Sequence, residues 1–408
     1  MTAIVGILNK RAAVIAADSA VTVSTGGNRK VYNTATKIFR LSLKHPVGVM
    51  IYDSSLFMNT PWDIIFKLYQ DRCGDQGYDT LQGYVDNFLD FLRNEKSFFN
   101  ERIEHDYLID EVGKYYDRMI EGCKDKIANN PDADTLDVCR EVINELKAED
   151  EGLDVFSEFK DYKAKTIKMH LADIFKEWDD VREEDGYPPE IKKDLEKAFI
   201  DYLLSGPVRI GTGVVFVGYG AKDIYPSMIP VMISGIIDNR LRYRIEDPDA
   251  ITNDNEAFIR PFAQSDIMIT LMRGIHPYLR NEVTCAMTDA LASQRETIAD
   301  LLEKEGVDDA LAAKVRNLDD IDIRKSFSDD LAETIHEDFV SGIVDAVEFF
   351  NVEDMANMAE SLISVTNLHR HISSSEETVG GPIDVAVITR SEGFFWVKHK
   401  QWPAAQSF

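Results

Sequence analysis

Short apolar runs with strand character stand at both ends of the chain and in its middle, with two long helical stretches between them. That order limits the folds open to it. Ile4, Val5, Ile7 and Leu8 begin an apolar run almost at the first residue. The polar turn Asn9-Lys10-Arg11 separates it from a second run, Ala12–Ala17, which ends at Asp18. Two short strands joined by a tight polar turn make a hairpin. At the other end, Ile383-Asp-Val-Ala-Val-Ile-Thr389, a turn at Ser391-Glu-Gly393 and the run Phe394–His399 read as another strand pair. A terminal hairpin alone cannot bury its apolar faces, so strands from the two ends are expected to share sheets.

Lys37-Ile-Phe-Arg-Leu41 and Val47-Gly-Val-Met-Ile51 are further strands, the second a continuous apolar run suited to burial on both faces. From Thr60 the period changes. Val85, Phe88, Leu89 and Leu92 fall at i, i+3, i+4 and i+7, the stripe of an amphipathic helix. Charged helical sequence runs on through Ile167–Val181, with breaks at Asn129-Asn-Pro131 and Gly186-Tyr-Pro-Pro189, and Ser205-Gly-Pro207 stops it. Glycine-punctuated, β-branched runs return at Thr212–Gly220 and Pro230–Ile237, followed by Leu241–Ile245 and Ala257–Phe262. A second helical block extends from Ser265 to His369, within which Leu331, Ile335, Phe339, Ile343, Ala346, Val347 and Phe350 keep helical period.

Two antiparallel sheets packed together with helices outside them is the layered solution that fits, an α+β fold of the four-layer αββα kind. Residues 1–59, 206–265 and 372–408 are expected to form the sandwich core. Residues 60–205 form a helical insertion, and 266–371 an extended helical block packed on the core.

Composition narrows the classes. With 44% hydrophobic and 29% charged residues the chain is an ordinary globular protein. A net charge of −27 argues against nucleic acid or an anionic membrane as partner. No run approaches the length of a membrane span, and no basic-then-apolar leader is read, so the expected compartment is the cytoplasm. Cys73, Cys123, Cys139 and Cys285 are widely spaced, form no C-x-x-C pair and read as buried or incidental thiols.

Four patches, in this order and spacing, resemble the amino-terminal-nucleophile hydrolases, specifically proteasome β-type and HslV-type subunits. They are Thr2 leading the first strand with Ala16-Ala-Asp-Ser19 closing the second; Thr36-Lys37-Ile-Phe-Arg-Leu41; Val214-Val-Phe-Val-Gly-Tyr219 with Ile259-Arg-Pro-Phe-Ala-Gln-Ser-Asp266; and Val379-Gly-Gly-Pro-Ile-Asp-Val-Ala-Val-Ile-Thr389. Both helical blocks greatly exceed what a typical member of that family carries.

The chemistry of such a site follows from simple acid–base arguments. A threonine hydroxyl is a poor nucleophile unless a base sits beside it. A free α-amino group, with a pKa of about 7.7–8.0, is a base available near neutral pH on the same residue. A nearby lysine cation pulls that amine toward its neutral form, and an aspartate holds the lysine. The resemblance assigns these parts to Thr2, Lys37 and Asp18, and places Ser265 at a supporting serine position. It also implies that backbone N–H groups near Met50–Asp53 meet the oxyanion. The family's glycine there is replaced by the run Met50-Ile-Tyr-Asp-Ser-Ser55, so Tyr52 is expected to crowd the cleft. The family's other supporting aspartate and serine fall at Glu376 and Val379. Thr2 has a free amine only after Met1 is removed.

The resemblance therefore implies a threonine-type peptidase or amidohydrolase acting through an acyl-enzyme on Thr2, with a peptide or small amide as substrate and no cofactor or metal. It further implies a homo-oligomer, in the manner of the family's rings, with an unfoldase or adaptor as partner. The alternative is a catalytically silent scaffold of the same fold, or a partner-binding assembly protein. Other motifs carry less. Gly211-Thr-Gly213 and Gly218-Tyr-Gly220 lack the helix start of a phosphate loop, and His369-Arg-His371 reads as a solvated pair. Glu149-Asp-Glu151 and Glu183-Glu-Asp185 read as solvated faces or turns. Neither H-E-x-x-H nor G-x-S-x-G is read.

Overall fold

The amino-terminal hairpin pairs β1 (Ala3–Asn9) with β2 (Ala13–Asp18), antiparallel, with Val5 opposite Ala16. Asn9 makes the turn. Its Oδ1 accepts the backbone N–H of Arg11 at 2.9 Å and of Ala12 at 3.2 Å, while its Nδ2 donates to Val347 O at 2.9 Å. A buried polar side chain is thus fully used. The computed structural model describes residues 2–25, 28–32, 34–150, 152–184, 187–306, 309–373 and 380–400.

The remaining strands and helices follow in chain order. A second hairpin, β3 (Val21–Thr25) and β4 (Asn28–Tyr32), was not foreseen in the sequence. Then come β5 (Ile38–Arg40), β6 (Val47–Asp53) and the minimal pair β7 (Leu56–Phe57) and β8 (Thr60–Pro61). The first helical block is α1 (Trp62–Cys73), α2 (Leu81–Asn94), α3 (Glu101–Asn129), α4 (Thr135–Asp150), α5 (Ala164–His170), α6 (Ala172–Glu184) and α7 (Lys192–Ser205). Strands resume with β9 (Thr212–Gly218), β10 (Ser227–Ile237), β11 (Arg240–Ile245), β12 (Asp249–Ala250) and β13 (Ala257–Ala263). The second block is α8 (Asp266–Arg273), α9 (Pro277–Lys304), α10 (Asp309–Arg316), α11 (Ile321–Ile335), α12 (Ser341–Phe349) and α13 (Val352–Ser373). The chain closes with β14 (Ile383–Thr389) and β15 (Gly393–Lys398). The fold is α+β with antiparallel sheets. No helix of the described residues is long and apolar enough to cross a membrane.

The chain divides into two units, one of residues 1–35, 250–389 and 395–408, the other of 36–249 and 390–394. In the first, a sheet runs in the order β13-β1-β2-β14-β15, so strands from both chain ends do share one sheet. The alternation of the pleat puts Ala3, Val5, Ile7, Val14, Ala16 and Val385 on one face, where they pack with Met355, Ala359 and Ile363 of α13. Each valine or isoleucine so buried contributes about 1.5–3 kcal/mol.

In the second unit the sheet order is β11-β10-β9-β6-β5. Trp62 and Phe66 of α1 and Phe88 of α2 stack on one another, and Phe88 meets Phe216 of β9 edge-on at 5.4 Å. Helices α3 to α7 form their own core, tied to the sheet by a buried ion pair. Arg242 of β11 reaches Glu111 of α3 at 3.4 Å, both side chains fully buried. Glu111 also accepts hydrogen bonds from Tyr107 at 2.8 Å, Tyr202 at 2.9 Å and Ser234 at 3.1 Å. Burial penalises the Arg242 cation, but Glu111 and the two tyrosines outweigh that and raise its pKa.

The helical stripe read through residues 331–350 is interrupted. A π-helical turn, His336–Val340, joins α11 to α12 and inserts an extra residue into the repeat. Ile335 and Val347 stay buried, whereas Phe339 is 47% exposed.

Candidate active site

Thr2 sits immediately before β1 and is 5% exposed. Its backbone is fixed from the edge strand of the same sheet. β1 pairs with β13 so that Ala3 lies opposite Ala263, and Gln264 N donates to Thr2 O at 3.1 Å. Ala263 has φ of 58°, the left-handed region that side-chain-bearing residues rarely enter. That turn ends β13 at once and starts α8, returning Gln264 to the head of β1.

Asp18 closes β2 and is 1% exposed. One carboxylate oxygen accepts Ala3 N at 2.9 Å, and the other accepts Ala20 N and Gly380 N, each at 3.2 Å. The hairpin register, Ile4 opposite Ala17, sets this carboxylate beside the start of β1. Asp18 therefore locks three chain segments together: the amino terminus, the turn after β2 and the glycine pair before β14.

Ser265 is half-buried and stands at the N-terminal boundary of α8, where its side chain makes no capping hydrogen bond. It follows Gln264, so Thr2, Asp18 and Ser265 are brought together by the β13-β1-β2 register. Lys37 belongs to the other unit, directly before β5, and is 3% exposed. Met1, Glu376 and Val379 lie outside the described residues.

The segment implied for the oxyanion is partly committed elsewhere. Ile51 N donates to Lys37 O at 2.8 Å, and just beyond the segment Ser54 N donates to Gly211 O at 3.3 Å. Tyr52 lies flat over Gly213, where a Cβ would stand 2.0 Å from its ring, and its hydroxyl reaches Met232 Sδ at 3.2 Å. Glycine is required at 213 by this close approach rather than by any ligand.

A further cluster was not read from the sequence. Asp384 of β14 is 1% exposed in an otherwise apolar strand. Lys400 Nζ donates to Asp384 Oδ2 at 2.9 Å, to Ser19 Oγ at 3.0 Å and to Ala35 O at 2.5 Å. Lys400 N and the His399 ring lie on the other oxygen, Asp384 Oδ1, at 2.9 and 3.1 Å. With three acceptors around it the ammonium is an anchor, not a base. It holds Ser19, the neighbour of Asp18, and Ala35, two residues before Lys37. The signal in the sequence was the lone carboxylate in Ile383-Asp-Val-Ala-Val-Ile, since a buried charge needs a partner. No protein-family model matches the chain, and no curated protein matches it.

Proposed function

We propose that this chain is a proteasome-like amino-terminal threonine hydrolase of the four-layer αββα sandwich class, cleaving peptide or other amide bonds through an acyl-enzyme on Thr2. The observation that carries the reading is the 2.9 Å hydrogen bond from Ala3 N to Asp18 Oδ1, which sets a buried carboxylate against the backbone directly after Thr2. Once Met1 is removed, the Thr2 α-amine takes the hydroxyl proton as Oγ attacks the carbonyl. That proton passes to the leaving amine, and water, activated by the same α-amine, releases the acyl group. Lys37 supplies the cation that keeps the amine neutral, Asp18 orients it, and Ser265 supports the site.

Assembly into a homo-oligomer belongs to the same proposal. The helices α9 and α11 carry Leu279, Leu301 and Ile323 more than half exposed, which suits them to contacts with a partner.

A second reading, a catalytically silent scaffold, draws on one specific feature. Asp18 bonds three backbone N–H groups and so has a structural task without any chemistry. Intact mass spectrometry, with and without an electrophile selective for amino-terminal threonine, separates the two. Loss of Met1 and addition of one electrophile per chain support the hydrolase. Quantitative retention of Met1 overturns it.

A further inference from the structure

The edge strand β13 carries a cavity of about 450 Å³ at the end remote from Thr2. Phe258 lies opposite Leu8, five residues along the strand from Ala263, so the cavity is about 17 Å from the head of β1 at the usual rise of ~3.4 Å per residue. Phe258 of β13, Met272 of α8 and Val344 of α12 give it an apolar lining. Its wall includes His336 and Val340 at the two ends of the π-helical turn. That turn is fixed to the end of α8: Gly274, with φ of 68°, carries the Phe339 ring where a Cβ would stand at 2.5 Å. A second cavity of about 290 Å³ shares Phe258, Met272 and Arg273, extending the apolar floor along β13.

The charge at the mouth runs against the rest of the chain. The net charge is −27, yet the larger cavity is lined by Arg273, Arg280 and His336 and by no carboxylate. Among the described residues, neither the Arg273 nor the Arg280 guanidinium makes a hydrogen bond or ion pair. An unpaired guanidinium presents a planar fork of donors that matches a carboxylate through both oxygens. The volume falls in the range of small-molecule sites, roughly 300–1,000 Å³.

The geometry points to this cavity as a binding site for an aliphatic carboxylate, its chain over Phe258, Met272 and Val344 and its head received by Arg273 and Arg280. The site is separate from Thr2 and stands whether or not Thr2 is a nucleophile. Calorimetric titration of the full chain tests it with dodecanoate, dodecanol and dodecyltrimethylammonium, each below its micelle-forming concentration. The expected result is saturable one-to-one binding of dodecanoate, at least tenfold weaker binding of dodecanol, and none of the ammonium. Arg273→Met and Arg280→Met should each weaken dodecanoate about tenfold and leave dodecanol unchanged. Equal binding of acid and alcohol, tighter binding of the cation, no saturable binding of dodecanoate, or indifference of dodecanoate to both arginine variants would each overturn the assignment.

Discussion

Lys400 Nζ and Asp384 Oδ2 meet at 2.9 Å with both side chains almost wholly out of solvent, 10% and 2% exposed. The pair ties the last described residues of the chain to β14 and, through Ser19 and Ala35, to the segments flanking Asp18 and leading to Lys37. Lys400→Met leaves the Asp384 carboxylate buried with only Lys400 N and the His399 ring. Removing one partner of a buried pair costs about 3–5 kcal/mol. Lys400→Met should lower stability by that order in chemical denaturation, and Asp384→Asn in the same chain should restore part of it. An additive double variant would show that the two side chains do not depend on each other.

Thr2→Ala removes a hydroxyl and a methyl while keeping the Thr2 carbonyl that accepts Gln264 N. Amidase or peptidase turnover should fall by orders of magnitude, with a melting temperature close to that of the parent. Unchanged turnover would end the nucleophile assignment.

Lys37→Met keeps most of the buried stem and deletes the charge. A cation near the α-amine lowers its pKa, so without it the amine stays protonated to higher pH. The rate should drop and the rising limb of the pH–rate profile should move to more basic pH. A profile superimposable on the parent's would reduce Lys37 to a packing residue.

The outline of the fold was legible where period and burial agree. Ile4–Leu8 and Ala12–Ala17 could only be a hairpin once Asn9-Lys10-Arg11 broke the apolar run, and that hairpin alone sets Asp18 beside the head of β1. The second hairpin escaped because its strands, Val21–Thr25 and Asn28–Tyr32, carry only Val21, Val23, Val31 and Tyr32 as apolar residues, an alternation too short to stand out from a polar loop. Phe339 leaves the apolar stripe because it falls inside the π-turn, whose wider turn breaks the i, i+3, i+4 repeat, and nothing in the periodicity announces an inserted residue. Gln264 acts through its backbone N–H, which any residue possesses, so its meeting with Thr2 O depends on the Ala263 turn and not on a side chain. The Lys400 anchor joins β14 to a segment beyond β15, a pairing that no local rule encodes.

Glu111→Gln tests what holds α3 and α7 to β10 and β11. The glutamine keeps one carbonyl oxygen, which can still accept from Tyr107, while its NH2 replaces the oxygen that accepted from Tyr202, and it leaves Arg242 buried without a counter-charge. A loss of about 3–5 kcal/mol is expected. Arg242→Met combined with Glu111→Leu should recover much of it, since apolar replacement of a buried ion pair is often neutral or better. Failure of the double replacement to recover stability would mean that the network's hydrogen bonds, not its charges, set the cost.

Asp150, the last residue of α4, is expected to oppose folding at neutral pH. Its Oδ1 is buried and, among the described residues, makes no hydrogen bond. Burial raises its pKa from the ordinary value of 3.8, and the attraction of Arg209 and Arg118 only partly offsets that. The sign follows from proton linkage. Between the unfolded and folded values the native state binds more protons, so stability falls as pH rises through that window and stays lower above it. Below the unfolded value both states are protonated and Asp150 carries no charge penalty. Asp150→Asn keeps the shape and cannot ionise. Denaturation midpoints of parent and variant should therefore be closest in acid, separate in favour of the variant as pH rises from the unfolded to the folded value, and run parallel from there to neutrality. A variant that loses stability relative to the parent over the same rise would show that Arg118 and Arg209 stabilise the carboxylate by more than its burial costs.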